Sequence, residues 1–152
     1  MSPELITILA AMSPVLEVRA SIPLAVAYFK LPPLEALYLS ITGSVIVALL
    51  LAFFLPIMSN FLMQNSQFCK KTLTHVYEST QRRHGKLIEN LEALGLFLII
   101  AIPLPLTGVW TASALAFLFD IPKKKALIAT ILGAIAAAIV VFFFVEGISL
   151  AF

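Results

Sequence analysis

Glu17 and Arg19 are the residues whose types could do chemistry. They stand in Ser13-Pro14-Val15-Leu16-Glu17-Val18-Arg19-Ala20-Ser21-Ile22-Pro23, within otherwise apolar sequence. At the centre of a bilayer each charge would cost roughly 2.5–3.5 kcal/mol on insertion scales, so a sequence keeps such a pair only where it is neutralised, solvated or used. The carboxyl of Glu17 could take up and release a proton, because desolvation favours its neutral form. The guanidinium of Arg19 presents a planar fork of donors suited to an anionic group. The bland alternative is mutual neutralisation: at i,i+2 the two do not face each other on a helix, but a non-helical tip could pair them.

A second stretch supplies uncharged polar groups. It reads Ile102-Pro103-Leu104-Pro105-Leu106-Thr107-Gly108-Val109-Trp110. Thr107 offers a hydroxyl, and Trp110 an indole donor on an apolar ring. Pro14, Pro23, Pro103, Pro105 and Gly108 interrupt helix, since proline removes a backbone donor and pushes the preceding residue away from α. A broken helix leaves free N–H groups at a half-helix N-terminus, which attract anions. Arms starting near Val18 and Thr107 would aim two such N-termini inward.

The composition says what must hold these residues. The chain has 152 residues, of which 61% are hydrophobic and 12% charged, against about 45–50% and 25% in soluble domains. It reads as an integral membrane protein of one domain. Residues 35–59 and 126–145 each meet the roughly 20 apolar residues that a span requires. Residues 4–30 and 93–119 are apolar but broken, each arm about 15–20 Å long as helix, which is short of a hydrocarbon core of about 30 Å. Two solutions exist: a Pro-kinked span, or a helical hairpin that enters and leaves on one side, its irregular tip buried or facing a wet cavity. Charge placement favours hairpins. Lys70, Lys71, Arg82, Arg83 and Lys86 precede residues 93–119, and Lys123, Lys124 and Lys125 follow them. The positive-inside rule puts both clusters in the cytoplasm, so the stretch between them must return to the side it left.

The chain also repeats itself at a shift of 90. Pro32, Ala36, Leu37, Ile41, Gly43, Ala48, Phe53 and Phe54 stand opposite Pro122, Ala126, Leu127, Ile131, Gly133, Ala138, Phe143 and Phe144, eight identities in the twenty-three positions from 32 to 54. With one span per half, the second half must be inverted, as in transporters built from inverted repeats. The expected fold is therefore an all-α membrane domain of two inverted units, each a re-entrant hairpin followed by a span. Repeat 1 covers residues 1–59, a cytoplasmic amphipathic helical linker 60–92, and repeat 2 residues 93–152. Both termini are expected outside the cell membrane, with the linker and Lys123–Lys125 cytoplasmic. The N-terminus lacks the basic region and cleavage site of a signal peptide. Gly43, Gly133 and Ala137 are expected to allow close helix packing. A chain this small is expected to form a homo-oligomer, most plausibly a dimer.

Other chemistries find no support in the sequence. Cys69 is a lone thiol, and His75 and His84 lie in the polar linker. No Ser-His-Asp set, HExxH, phosphate loop or metal-ligand spacing occurs, so neither an enzyme, a metal, a cofactor nor a nucleic-acid partner is expected.

SPVLEVRASIPLA resembles the SP-x-x-E-x-R-x-x-IP signature of the family called small multidrug export proteins. AIPLPLTGVWTASALAFLFDIPKKKA is similar to that family's IPLPGTGxWTGxLxA element, with Leu106 where the family usually has glycine. The resemblance runs in order over nearly the whole chain. That family is in turn distantly similar to the DedA superfamily, which pairs re-entrant hairpins with spans and is implied to move polyprenyl phosphates or other phospholipids using ion gradients. Carried over, the resemblance points to Glu17, Arg19 and the tip Pro103–Gly108, with Pro105 and Thr107; the residues themselves add Ser13, Pro14, Pro23 and Trp110 to the expected substrate and proton site, Trp110 being equally a candidate packing residue. Three functions follow as expectations: a proton-coupled transporter or flippase for an anionic amphiphile, a proton-coupled exporter of cationic amphiphilic drugs, or a non-transport assembly protein in which the charged pair only holds the hairpin together.

Overall fold

The computed structural model describes residues 2–65, 86–102 and 108–151. Among the described residues there are six α-helices, one π segment and no strand. They are α1 (Pro3–Met12), α2 (Glu17–Pro23), the π segment Leu24–Tyr28, α3 (Pro33–Asn65), α4 (Lys86–Ala101), α5 (Val109–Leu118) and α6 (Lys123–Ala151).

Local sequence explains the short helices. Ser2 caps α1, its hydroxyl accepting from the Leu5 N–H at 3.4 Å, and Pro3 fills the first turn, where no N–H is needed. The helix stops at Ser13, held extended at φ −68° and ψ 138° ahead of Pro14. Residues 13–16 turn the chain, and α2 packs back against α1. Pro23 does not break this second arm. It cannot donate to the carbonyl four residues back, and the helix widens into the π segment, where Phe29 N–H bonds Leu24 at 3.3 Å.

Two helices, over Pro33–Ile57 and Lys123–Gly147, are long and apolar enough to cross a membrane. They begin alike. Lys30 (φ 56°) and Asp120 (φ 53°), 90 residues apart, take the left-handed turn that ends the preceding helix. Leu31 N–H then bonds Ala25 at 3.0 Å, and Ile121 N–H bonds Ala116 at 2.9 Å. Ala36 bonds Pro32 and Ala126 bonds Pro122, each at 3.0 Å. The ends of the expected linker are helical: α3 continues to Asn65, and α4 already starts at Lys86. No proline or glycine lies between Ile57 and Asn65 or between Lys86 and Leu94 to stop either one.

The two long helices run antiparallel. Leu37 and Ile41, early in α3, pack with Val141 and Val145, late in α6, while Val47, Ala48 and Leu51 share a cluster with Ala126 and Ala129. Two glycines set the distance to the flanking arms. A Cβ on Gly43 would lie 2.6 Å from the Ile8 carbonyl oxygen and 2.8 Å from Ala11 Cβ. One on Gly133 would lie 3.1 Å from the Phe97 carbonyl oxygen and 2.8 Å from Ile100 Cβ. The same i, i+3 pattern thus recurs where α1 meets α3 and where α4 meets α6. Ala137 is buried in the cluster that holds Val18 and Ile22. Outward faces are apolar: Phe53, Phe54, Phe143 and Phe144 are all exposed, as lipid-facing positions would be.

Candidate functional site

The site forms where the turn after α1 meets the start of α5. Glu17 is the first residue of α2 and has φ 47°, a left-handed conformation that is uncommon for a residue with a side chain. Its backbone is tied into the turn by Ser13: the Ser13 carbonyl accepts from the Glu17 N–H at 3.2 Å, and the Ser13 hydroxyl accepts from the Val15 N–H at 3.3 Å. Ser13 therefore shapes the turn, and Pro14 stands exposed on it.

The Glu17 side chain leaves its own half of the molecule. It is 8% exposed, and its carboxylate accepts hydrogen bonds from the backbone N–H groups of Trp110 and Val109. These N–H groups open α5, whose N-cap, Gly108, gives no side-chain cap. A carboxylate from one half thus caps a helix of the other, meeting both its free donors and its positive dipole end. Gly108 is required by this contact. A Cβ there would occupy the space of the Glu17 carboxyl group itself.

A second bond runs the opposite way. The Trp110 indole Nε1–H donates to the Met12 carbonyl at 3.1 Å, meeting an orphan acceptor at the C-terminus of α1. Trp110 is thereby a fastener between the halves. Arg19 lies one turn-edge further along α2, half-buried, and interacts electrostatically with Glu17. Behind them the Ser21 hydroxyl donates to the Ser40 hydroxyl at 2.7 Å, joining α2 to α3 inside the core.

Of the expected site residues, Glu17, Arg19, Ser13, Gly108 and Trp110 gather around this junction. Pro23 lies away from the turn, at the passage into the π segment. Pro103, Pro105 and Thr107 lie outside the described residues, as do Cys69, His75 and His84 of the linker. The described residues hold no group of three or more His, Cys, Asp or Glu able to bind a metal ion. Sequence reasoning brought two helix breaks together but missed the partner of Glu17. The one available signal was Gly108, a residue without a side chain directly before an apolar helix.

Neither a curated protein nor a solved structure matches this chain. Residues 17–140 match the family described as "Putative small multi-drug export protein", whose name gives its members a role in membrane export. That stretch begins at the buried carboxylate and takes in its partners on α5 and both long helices, so the chain belongs to this small multi-drug export family.

Proposed function

We propose that this protein is a proton-coupled secondary transporter or flippase for an anionic amphiphile, of the class of polyprenyl phosphates and phospholipids. The observation that supports it most is the Glu17 carboxylate seated on the N-terminus of α5 beside Arg19. A guanidinium and a helix N-terminus are the two commonest recognisers of a phosphate. Here an internal carboxylate holds that place. Protonation of Glu17 would remove its charge, loosen its hold on Val109 and Trp110, and leave the N-terminus and Arg19 to a substrate head group. Release of the proton would restore the carboxylate and expel the anion.

The architecture that suits this cycle is an inverted repeat of the DedA-like kind. The ten residues of α1 span about 15 Å, half a hydrocarbon core, so a hairpin starting at one interface ends near the midplane. The antiparallel long helices, the matched turns at Lys30 and Asp120, and the matched contacts of Gly43 and Gly133 support two inverted units. Glu17 and Trp110 would then fasten the two tips and open on transport.

The test is reconstitution in liposomes that carry a labelled polyprenyl phosphate. The wild type should move the label across the bilayer, and Arg19→Ala should slow this at least about tenfold, the loss of one charged hydrogen bond. Absent movement, or movement indifferent to Arg19→Ala, would defeat the reading. The family's description favours a second reading, drug export; the drug would be a cationic amphiphile that Glu17 exchanges for a proton. In a resistance assay that reading requires Glu17→Gln to abolish export and Arg19→Ala to be mild.

A further inference from the structure

A cavity of about 190 Å³ lies between the second half of α3, α5 and the first half of α6, away from Glu17 and Arg19. Leu51, Leu55, Phe117 and Leu127 form its apolar wall, and Ser113 and Thr130 add two hydroxyls. Asp120 and Lys123 line the end where α5 passes into α6. An apolar cavity of about 150 Å³ is enough to stay dry and admit a benzene ring, so this one accommodates a ring or a stretch of hydrocarbon chain.

Adding 90 maps the α3 wall of the cavity, Ala48, Leu51 and Leu55, onto the α6 positions Ala138, Val141 and Val145. There the space is filled by Val18 and Ile22 from α2, with Ile22 fully buried. Where the first half has Ile22 and Pro23, the second has Ala112 and Ser113. Ala112 is buried against the cluster that holds Ala48 and Leu51, and the cavity opens beside it, along Ser113, Ala116 and Phe117 of α5.

The charges at the mouth have a sign. Lys123, Lys124 and Lys125 form the first turn of α6, where the helix dipole disfavours cations. Of the three, Lys123 lines the cavity, and together they outnumber Asp120 three to one. We propose that the cavity binds the hydrocarbon part of an anionic amphiphile whose head group sits at Lys123, and that this is where substrate enters from the lysine side before it reaches Arg19. The entry role rests on the transport reading above; the binding site does not.

The probe is decyl phosphate with a diazirine at the end of its chain, photolysed with the protein in phosphatidylcholine liposomes. Labelling should map to Leu51, Leu55, Phe117 or Leu127 and be displaced by unlabelled decyl phosphate. Filling the space with Ala116→Leu or, separately, Ala52→Leu should cut labelling about tenfold, with the melting temperature confirming a folded protein. Lys123→Gln should weaken the phosphate probe up to about fivefold and leave the same tail on a trimethylammonium head unchanged. Labelling confined to the lipid-facing Leu50, Phe53 and Phe143, or unaltered by both filling variants, overturns the site. Equal labelling by the two heads overturns its anion preference. Reduced labelling with undiminished transport in the filled variants overturns the entry role. Displaceable cavity labelling by a wild type that transports nothing refutes the transport reading and upholds the site.

Discussion

The two halves of this molecule share a plan and divide the work. The first half contributes charge: Glu17 and Arg19 both belong to α2. The second contributes a receptor for charge, the bare N-terminus of α5 behind Gly108. The first half is packed where Val18 and Ile22 meet α6, whereas in the second half a cavity lies between α5 and the long helices. Matching turns and glycine contacts therefore do not entail matching chemistry. Matched turns and glycines preserve the scaffold, and a few side-chain differences give each half its own task.

That comparison can be broken at its strongest point first. Glu17→Ala should destabilise the protein by about 3 kcal/mol, because it leaves the Val109 and Trp110 N–H groups without their acceptor and removes the carboxylate beside Arg19. Glu17→Gln keeps an acceptor on α5 and should cost less than half as much, though transport should be lost in both. Thermal unfolding in detergent beside liposome transport separates the two effects. Gly108→Ala should cost about 2 kcal/mol and abolish transport, since the new Cβ displaces the carboxyl from α5 while the backbone of residue 108, at φ −128°, tolerates alanine. Unchanged stability in Gly108→Ala would mean that the carboxylate does not hold α5.

Smaller changes sharpen the packing contrast. Ile22→Ala should open in the first half a void like that of the second, at about 2 kcal/mol, the low end of the range for core truncation because lipid tails are as apolar as the side chain removed. Ala116→Leu, on the cavity wall, adds volume where space is free and should cost less; a larger loss than in Ile22→Ala would contradict the assignment of free space there. Smallest of all, Trp110→Phe removes the bond to Met12 and should lower stability by about 1 kcal/mol. A double substitution with Glu17→Gln reports whether the two fasteners are coupled, a non-additive loss being the expected outcome.

Sequence and structure share the credit unevenly. Composition and run length alone pointed to two spans, and helices long and apolar enough to cross a membrane cover Pro33–Ile57 and Lys123–Gly147. Proline chemistry fixed the interruption after Met12, because the residue before Pro14 could not stay helical. Pro23 looked equivalent and was not: the chain absorbed it in a π turn, an option that depends on neighbouring helices to satisfy the freed backbone. The shift of 90 that aligns glycines and prolines in the sequence also relates the turns at Lys30 and Asp120 and the close contacts of Gly43 and Gly133.

What the sequence determined by itself was local and one-dimensional: which segments are apolar enough to span, where helix must stop, and that Glu17 and Arg19 demand a partner. Only the tertiary structure decided who that partner is. Backbone N–H groups are present in every residue except proline and leave no mark in the sequence, so nothing near Glu17 announces Val109 and Trp110. The cavity was hidden for the same reason. An empty space is a property of how three helices fail to fill their crossing, and no single residue encodes it.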